Sequence, residues 1–143
     1  MVASDLTQVI EASHQALDAF AKGDSASLHA LYARGDDVTL ANPFGPAVRG
    51  WTQVGETMAR AAANYREGEA TGFEPMAKYA TPELAYILEV ERFRAKVGGG
   101  EELVPFALRV TTIFRRDDEG WMIVHRHADP ITMPRPAQSV LAP

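Results

Sequence analysis

Three long stretches of alternating character, "LAYILEVERFRAKV", "ELVPFALRVTTIFRR" and "WMIVHRHAD", follow one another late in the chain, separated by the turn "GGG" and the loop "DDEG". Val, Ile, Tyr, Phe and Thr recur in them, side chains that suit a pleated surface, and the glycines supply the backbone freedom of tight turns. Connections this short force consecutive strands to run antiparallel as neighbours. A meander of this kind buries one face, so the rest of the chain must cover it.

The preceding residues read as that cover. Ser4 has the chemistry of an N-cap, Leu6, Val9, Ile10, Leu17, Phe20 and Ala21 recur at helical spacing, and Gly23 offers a stop, which predicts a helix over residues 5–22. A shorter helix follows in "DSASLHALYARG", capped by Asp24 or Ser25 and closed by Gly35. "DDVTLANPFGPAVRG" reads as two short strands around a turn at Pro43, Gly45 and Pro46. From Thr52, the positions Val54, Met58, Ala61, Ala62 and Tyr65 predict a third helix, ending in a polar loop, "REGEATG". "FEPMAKYA" is then a strand and "TPE" a turn. Three helices followed by a meander predict an α+β fold with helices on one face of an antiparallel sheet. The 143 residues fit a single domain (1–143) with a core over about residues 5–130 and an irregular tail from 131 to 143.

The hairpins suggest registers. If "DDEG" pairs Arg116 with Trp121, Phe114 faces Ile123, Thr112 faces His125 and Val110 faces His127. If the glycine turn pairs Val97 with Glu101, Leu88 faces Val110 and Tyr86 faces Thr112. Both registers put Tyr86, Leu88, Val90, Leu108, Val110, Thr112, Phe114, Trp121, Ile123, His125 and His127 on the helix-covered side. A slip of one residue would mix Glu89, Glu91 and Arg109 into that apolar set. The opposite face then carries Glu89 across from Arg109, with Ile87, Ala107, Ile113, Met122 and Val124. That is apolar for a solvated surface, and it predicts a homodimer through the outer sheet face.

Composition removes several classes of function. Without cysteine there are no disulfides, thiolate nucleophiles or thiolate metal sites. A net charge of -5, from 14 basic and 19 acidic residues, gives no nucleic-acid footprint. No apolar run approaches the roughly 20 residues of a membrane span, and "MVASDLTQVI" lacks the basic start of a signal peptide, so a cytoplasmic location is expected.

The stretches "ALDAFAKGDSASLHALYARGDDVTLANPFG", the "RG" before the third helix and "RVTTIFRRDDEGWMIVHRHADP" give the chain its family character. Over about residues 5–130 it resembles the nuclear transport factor 2-like superfamily, in particular the SnoaL-like and ketosteroid-isomerase-like branches. The last stretch also resembles the association domain of calmodulin-dependent kinases. The resemblance implies a cone-shaped, cystatin-like fold with a cavity at its open end and dimerisation through the sheet. Ketosteroid isomerases place a carboxylate base where this chain has Asn42, an oxyanion-hole tyrosine at Ala16 and a protonated aspartate near Val110. With all three roles vacant, steroid isomerisation by that route has no agents here. SnoaL-like cyclases carry a His-x-Asp that falls on His125 and His127, or on His127 and Asp129 after a shift of two.

His125, His127 and Asp129 are therefore the candidate acid/base residues, because histidine titrates near neutrality and a carboxylate can orient it. The competing reading makes both histidines structural. They do not complete a set of metal ligands, and no cofactor is expected. Asn42 and Arg49, on the short strands at the cavity mouth, together with Tyr86, Val110, Thr112 and Trp121 on the inner face, are candidate ligand-binding residues. The function these imply is binding of a small apolar or oxygenated molecule, with isomerisation, dehydration or hydrolysis as the chemistry. The alternative is a non-catalytic dimeric assembly or ligand-sensing module.

Overall fold

The computed structural model describes residues 5–142. Helix α1 spans Leu6–Phe20, α2 Ala26–His29 and α3 Trp51–Ala62. The strands are β1 Thr39–Ala41, β2 Val48–Arg49, β3 Tyr65–Ala80, β4 Leu84–Val97, β5 Val104–Asp117 and β6 Gly120–Asp129. They form one sheet in the order β2-β1-β6-β5-β4-β3, antiparallel throughout except that β1 runs parallel to β6. The α+β architecture is as the sequence predicts. No helix among the described residues is long and apolar enough to cross a membrane.

Local chemistry explains the helix ends. Ser4 lies outside the described residues, and the cap of α1 is Asp5, whose carboxylate accepts the Gln8 N–H at 2.8 Å. Val9, Ser13, Ala16 and Leu17, spaced by four, three and one, form its buried stripe. Gly23, at φ +96°, turns the chain out of the helix, and a β-carbon there would sit 3.1 Å from the Tyr65 carbonyl oxygen. α2 is a single turn, because the residues after it pair instead with the sheet: Ile123 donates to Leu31 O and Ala33 donates to Ile123 O. α3 buries Val54, Met58, Ala61 and Ala62. Between helices and sheet lie Tyr32, Leu28, Met58, Phe114 and Ile123, all fully enclosed, and each large apolar side chain contributes about 1.5–3 kcal/mol through burial.

Two expectations about the strands need correction. The polar stretch Arg66–Gly72 is not a loop but the first half of β3. As the edge strand, β3 keeps polar side chains in water while its backbone pairs with β4, so hydrophilicity there does not mean irregular structure. Three register shifts interrupt that pairing.

The second correction concerns which face is buried. The connection from β4 to β5 is longer than the glycine turn alone, with Ala95 opposite Val104, so Glu89 rather than Leu88 faces Val110. This one-residue slip turns Tyr86, Leu88 and Val90 outward and puts Ala85, Ile87, Glu89, Glu91, Phe93 and Ala95 inside. In the next hairpin Arg116 faces Trp121 and Phe114 faces Ile123 as predicted, but a bulge follows and Ile113 faces His125. Val124 is the extra residue. Beyond it Arg126 and Ala128 point inward, opposite Thr112 and Val110, while His125, His127 and Asp129 point outward. Leu108, Val110, Thr112, Phe114, Trp121 and Ile123 lie on the inner face as expected.

Candidate functional site

The inner face and the helices leave a narrow cavity of about 40 Å³. Leu17 and Phe20 of α1, Leu28 of α2, Leu40 of β1, Met58 and Ala61 of α3, and Phe93, Phe106 and Leu108 of the sheet wall it, with Asn42, Pro43 and Phe44 at its rim. Nearly all of this lining is apolar because the period-2 pattern of the strands and the helical stripes meet there. A chain of rings runs along one wall: Phe44 to Tyr65 at 6.1 Å between centroids, Tyr65 to Phe106 at 5.1 Å and Phe106 to Phe93 at 5.1 Å.

One charged side chain lines this cavity, Arg126, brought inside by the bulge at Val124. Its two terminal nitrogens donate to the two carboxylate oxygens of Glu91, at 2.7 and 2.6 Å, in a fork across β5. Both residues are buried, Glu91 completely. Burial pushes the Glu91 carboxyl up, and the Arg126 guanidinium pulls against that rise. Desolvation opposes the charge on Arg126 as well, but the adjacent Glu91 carboxylate outweighs it and holds the guanidinium above its ordinary range. Breaking such a pair by removing one partner costs about 3–5 kcal/mol, because the other charge is left buried alone.

The pair continues into a larger cluster. Glu89, two residues earlier on the same face of β4, accepts from or shares a proton with His14 of α1, at 2.9 Å to one oxygen and 3.3 Å to the other. The His14 ring stacks on Phe73 of β3 at 3.8 Å. Burial also pushes the Tyr65 phenol up to about 12, so it is a neutral hydrogen-bonding group beside the cavity. Tyr32 is pushed up for the same reason, and its hydroxyl donates to Thr39 O at 3.3 Å.

The residues predicted from sequence separate into three places. Asn42 lines the cavity rim, its side-chain oxygen accepting the Phe44 N–H at 2.9 Å. Val110, Thr112 and Trp121 are enclosed on the inner face, with the Arg116 guanidinium 5.9 Å from the centre of the Trp121 ring. Arg49 is exposed at the far edge of the sheet and donates to Asp36 O at 2.8 Å, away from the cavity. Tyr86 is on the outer face, stacked with Tyr79 at 6.1 Å.

His125, His127 and Asp129 do come together, but in an open groove on the outer face with Leu88, Arg109, Thr111 and Ile113. His127 Nε2 is 3.3 Å from Asp129, Arg109 donates to Asp129 at 2.8 Å, and Thr39 Oγ1 lies 2.7 Å from His125 Nδ1. Partial burial works against the charge of Asp129, but the Arg109 hydrogen bond and the Ile131 N–H hold it below the usual aspartate value. Among the described residues no group of three or more His, Asp or Glu side chains could hold a metal ion.

Sequence reasoning missed Glu91, Arg126, Glu89 and His14. A signal was present: Ala85, Ile87, Phe93 and Ala95 share the parity of the two glutamates, so an apolar face flanked them on both sides. Their charge made that face look like the outer one.

Solved structures share this architecture. A nuclear transport factor 2-like superfamily protein from Salmonella enterica serovar Typhimurium is 18% identical, with 93% of each chain covered and a TM-score of 0.74. A candidate calcium/calmodulin-dependent protein kinase type II association domain from Thiobacillus denitrificans is 17% identical over 92% of this chain and 99% of its own, with a TM-score of 0.73. A ketosteroid isomerase-like protein from Erwinia carotovora atroseptica is 16% identical over 90% of this chain and 95% of its own, with a TM-score of 0.72. At such identities the likeness speaks for the fold alone. A model of the SnoaL-like domain matches residues 9–133, so the chain belongs to the SnoaL-like family. No curated protein matches it.

Proposed function

We propose that this chain binds a small, mostly apolar molecule bearing an oxygen function in the cavity between the helices and the inner sheet face. The observation that carries this reading is an apolar, ring-walled cavity with one buried guanidinium at its lining. Sites of this kind gain affinity from apolar contact and orientation from a few polar groups. Here those groups are Arg126, Tyr65 and Asn42. The cone-shaped, cystatin-like wrapping of the sheet belongs to the same reading, supported by the three register shifts of β3 and the bulge of β6, which bend strands. Cofactor-independent isomerisation, dehydration or hydrolysis would use groups facing the cavity, and the outer-face histidines are not among them. Titration with acetophenone, a neutral probe, should shift amide resonances clustered at Phe93, Leu108 and Ala128. Ala61→Phe, which fills the cavity, should abolish those shifts while the protein stays folded. Shifts scattered over the surface, or undiminished in Ala61→Phe, would sink the proposal.

A second reading, a dimeric assembly module, has its own observation. Met76, Tyr79, Leu84 and Tyr86 are exposed together on the outer face of β3 and β4. In that reading a second copy covers this patch, and His125, His127 and Asp129 become interface residues.

A further inference from the structure

Arg126 is the one cation among the cavity-lining residues, and on its own it would invite a carboxylate. Its surroundings argue the opposite. Each terminal nitrogen already gives one N–H to Glu91, which is completely buried behind it. Glu89 stands on the same strand face, with His14 on its far side. The charges of these four groups sum to -1 when His14 is neutral and to zero when it is protonated; in neither state is the cluster positive. An entering carboxylate would lose its hydration and meet no net positive charge. A carbonyl loses far less water and still finds a donor, since the fork to Glu91 uses two of the five N–H groups of a guanidinium. A cation fares poorly for another reason: the wall is apolar, and the Asn42 side-chain oxygen is engaged by the Phe44 N–H.

We propose that Glu91 is a built-in counter-ion that makes the cavity select uncharged ligands carrying a hydrogen-bond acceptor, such as ketones, over carboxylates of the same shape. This rests on the cavity being the binding site. Glu91 sets the specificity without touching the ligand, by occupying the charge of the group that does.

Acetophenone and benzoate have nearly the same shape and differ in charge, so their affinities for the wild-type protein, measured by NMR titration, decide the matter. Acetophenone should bind at least about tenfold more tightly. Glu91→Gln raises the summed charge by one, to zero or +1, and should tighten benzoate relative to acetophenone by about tenfold. If Glu91→Gln does not fold, the paired replacement Glu91→Leu with Arg126→Met removes both charges, and acetophenone should then bind about tenfold more weakly than to wild type. Benzoate binding the wild type as tightly as acetophenone would overturn the selectivity while leaving the cavity reading intact, and so would unchanged acetophenone affinity in the paired variant. Failure of acetophenone to shift cavity resonances at all would remove the cavity reading and this inference with it.

Discussion

His125 keeps one ring nitrogen 2.7 Å from Thr39 Oγ1 and the other side of its ring in the outer groove. Its pKa is lowered from 6.5, first because burial strips water from the ring and second because His127 opposes another positive charge nearby. A histidine depressed in this way holds its proton less firmly folded than unfolded. On acidification through 6.5 the unfolded chain therefore takes up the proton first, and stability falls until the folded-state pKa is reached, below which the loss levels off. The His125 imidazole should titrate with a midpoint below 6.5 by proton NMR, and His125→Asn should flatten the decline in melting temperature over that interval. A midpoint at or above 6.5 would refute the account. The identity of this residue was legible in the sequence, as was its company with His127 and Asp129. Its face was not, since one inserted residue, Val124, reversed it.

Among the elements, β3 owes its first half to a close approach to the end of α1. Gly68 donates its N–H to Ala21 O at 3.0 Å, Lys22 donates to Gly68 O at 2.9 Å, and Asp18 accepts the Ala70 N–H at 2.9 Å. A β-carbon on Gly68 would stand 2.5 Å from Ala95 Cβ, 2.6 Å from Ala21 O and 2.7 Å from Arg94 O. Backbone and a β-carbon cannot swing away, so Gly68→Ala should lower stability by about 1–3 kcal/mol in urea unfolding. Gly72→Ala, on the same strand with nothing within 4 Å of its added carbon, should change it by less than about 0.5 kcal/mol. Equal losses at the two positions would show that strand propensity, not the contact with α1, controls this segment. The helices, both long hairpin strands and the β5–β6 turn follow from periodicity and turn residues, which act over a few positions. The first half of β3 does not, because its polar residues become a strand only through pairing with β4 and docking on α1.

For the whole molecule, the two sheet faces divide the work. The inner face carries the cavity and the buried Glu91–Arg126 pair, and the outer face carries the exposed Met76, Tyr79, Leu84 and Tyr86 patch. If a second copy covers that patch, light scattering should give twice the 15.6 kDa of one chain at micromolar concentration. Tyr79→Lys with Tyr86→Lys should return it to one chain mass without altering cavity binding. A wild-type monomer would discard the dimer. From the sequence by itself came the α+β order, the positions of most strands and helices, the family, and the apolar residues of β5 that line the interior. These depend on local period, turn chemistry and short sequence motifs. Tertiary structure alone decided which face of β4 and of the end of β6 is inside, because strand register is set by the β4–β5 connection and by a bulge, and a shift of one residue inverts every side chain beyond it. It also decided the chemistry of the site: Glu91 finds Arg126 across 35 positions and Glu89 finds His14 across 75, and charges that look solvated in one dimension find partners inside only once those distances close.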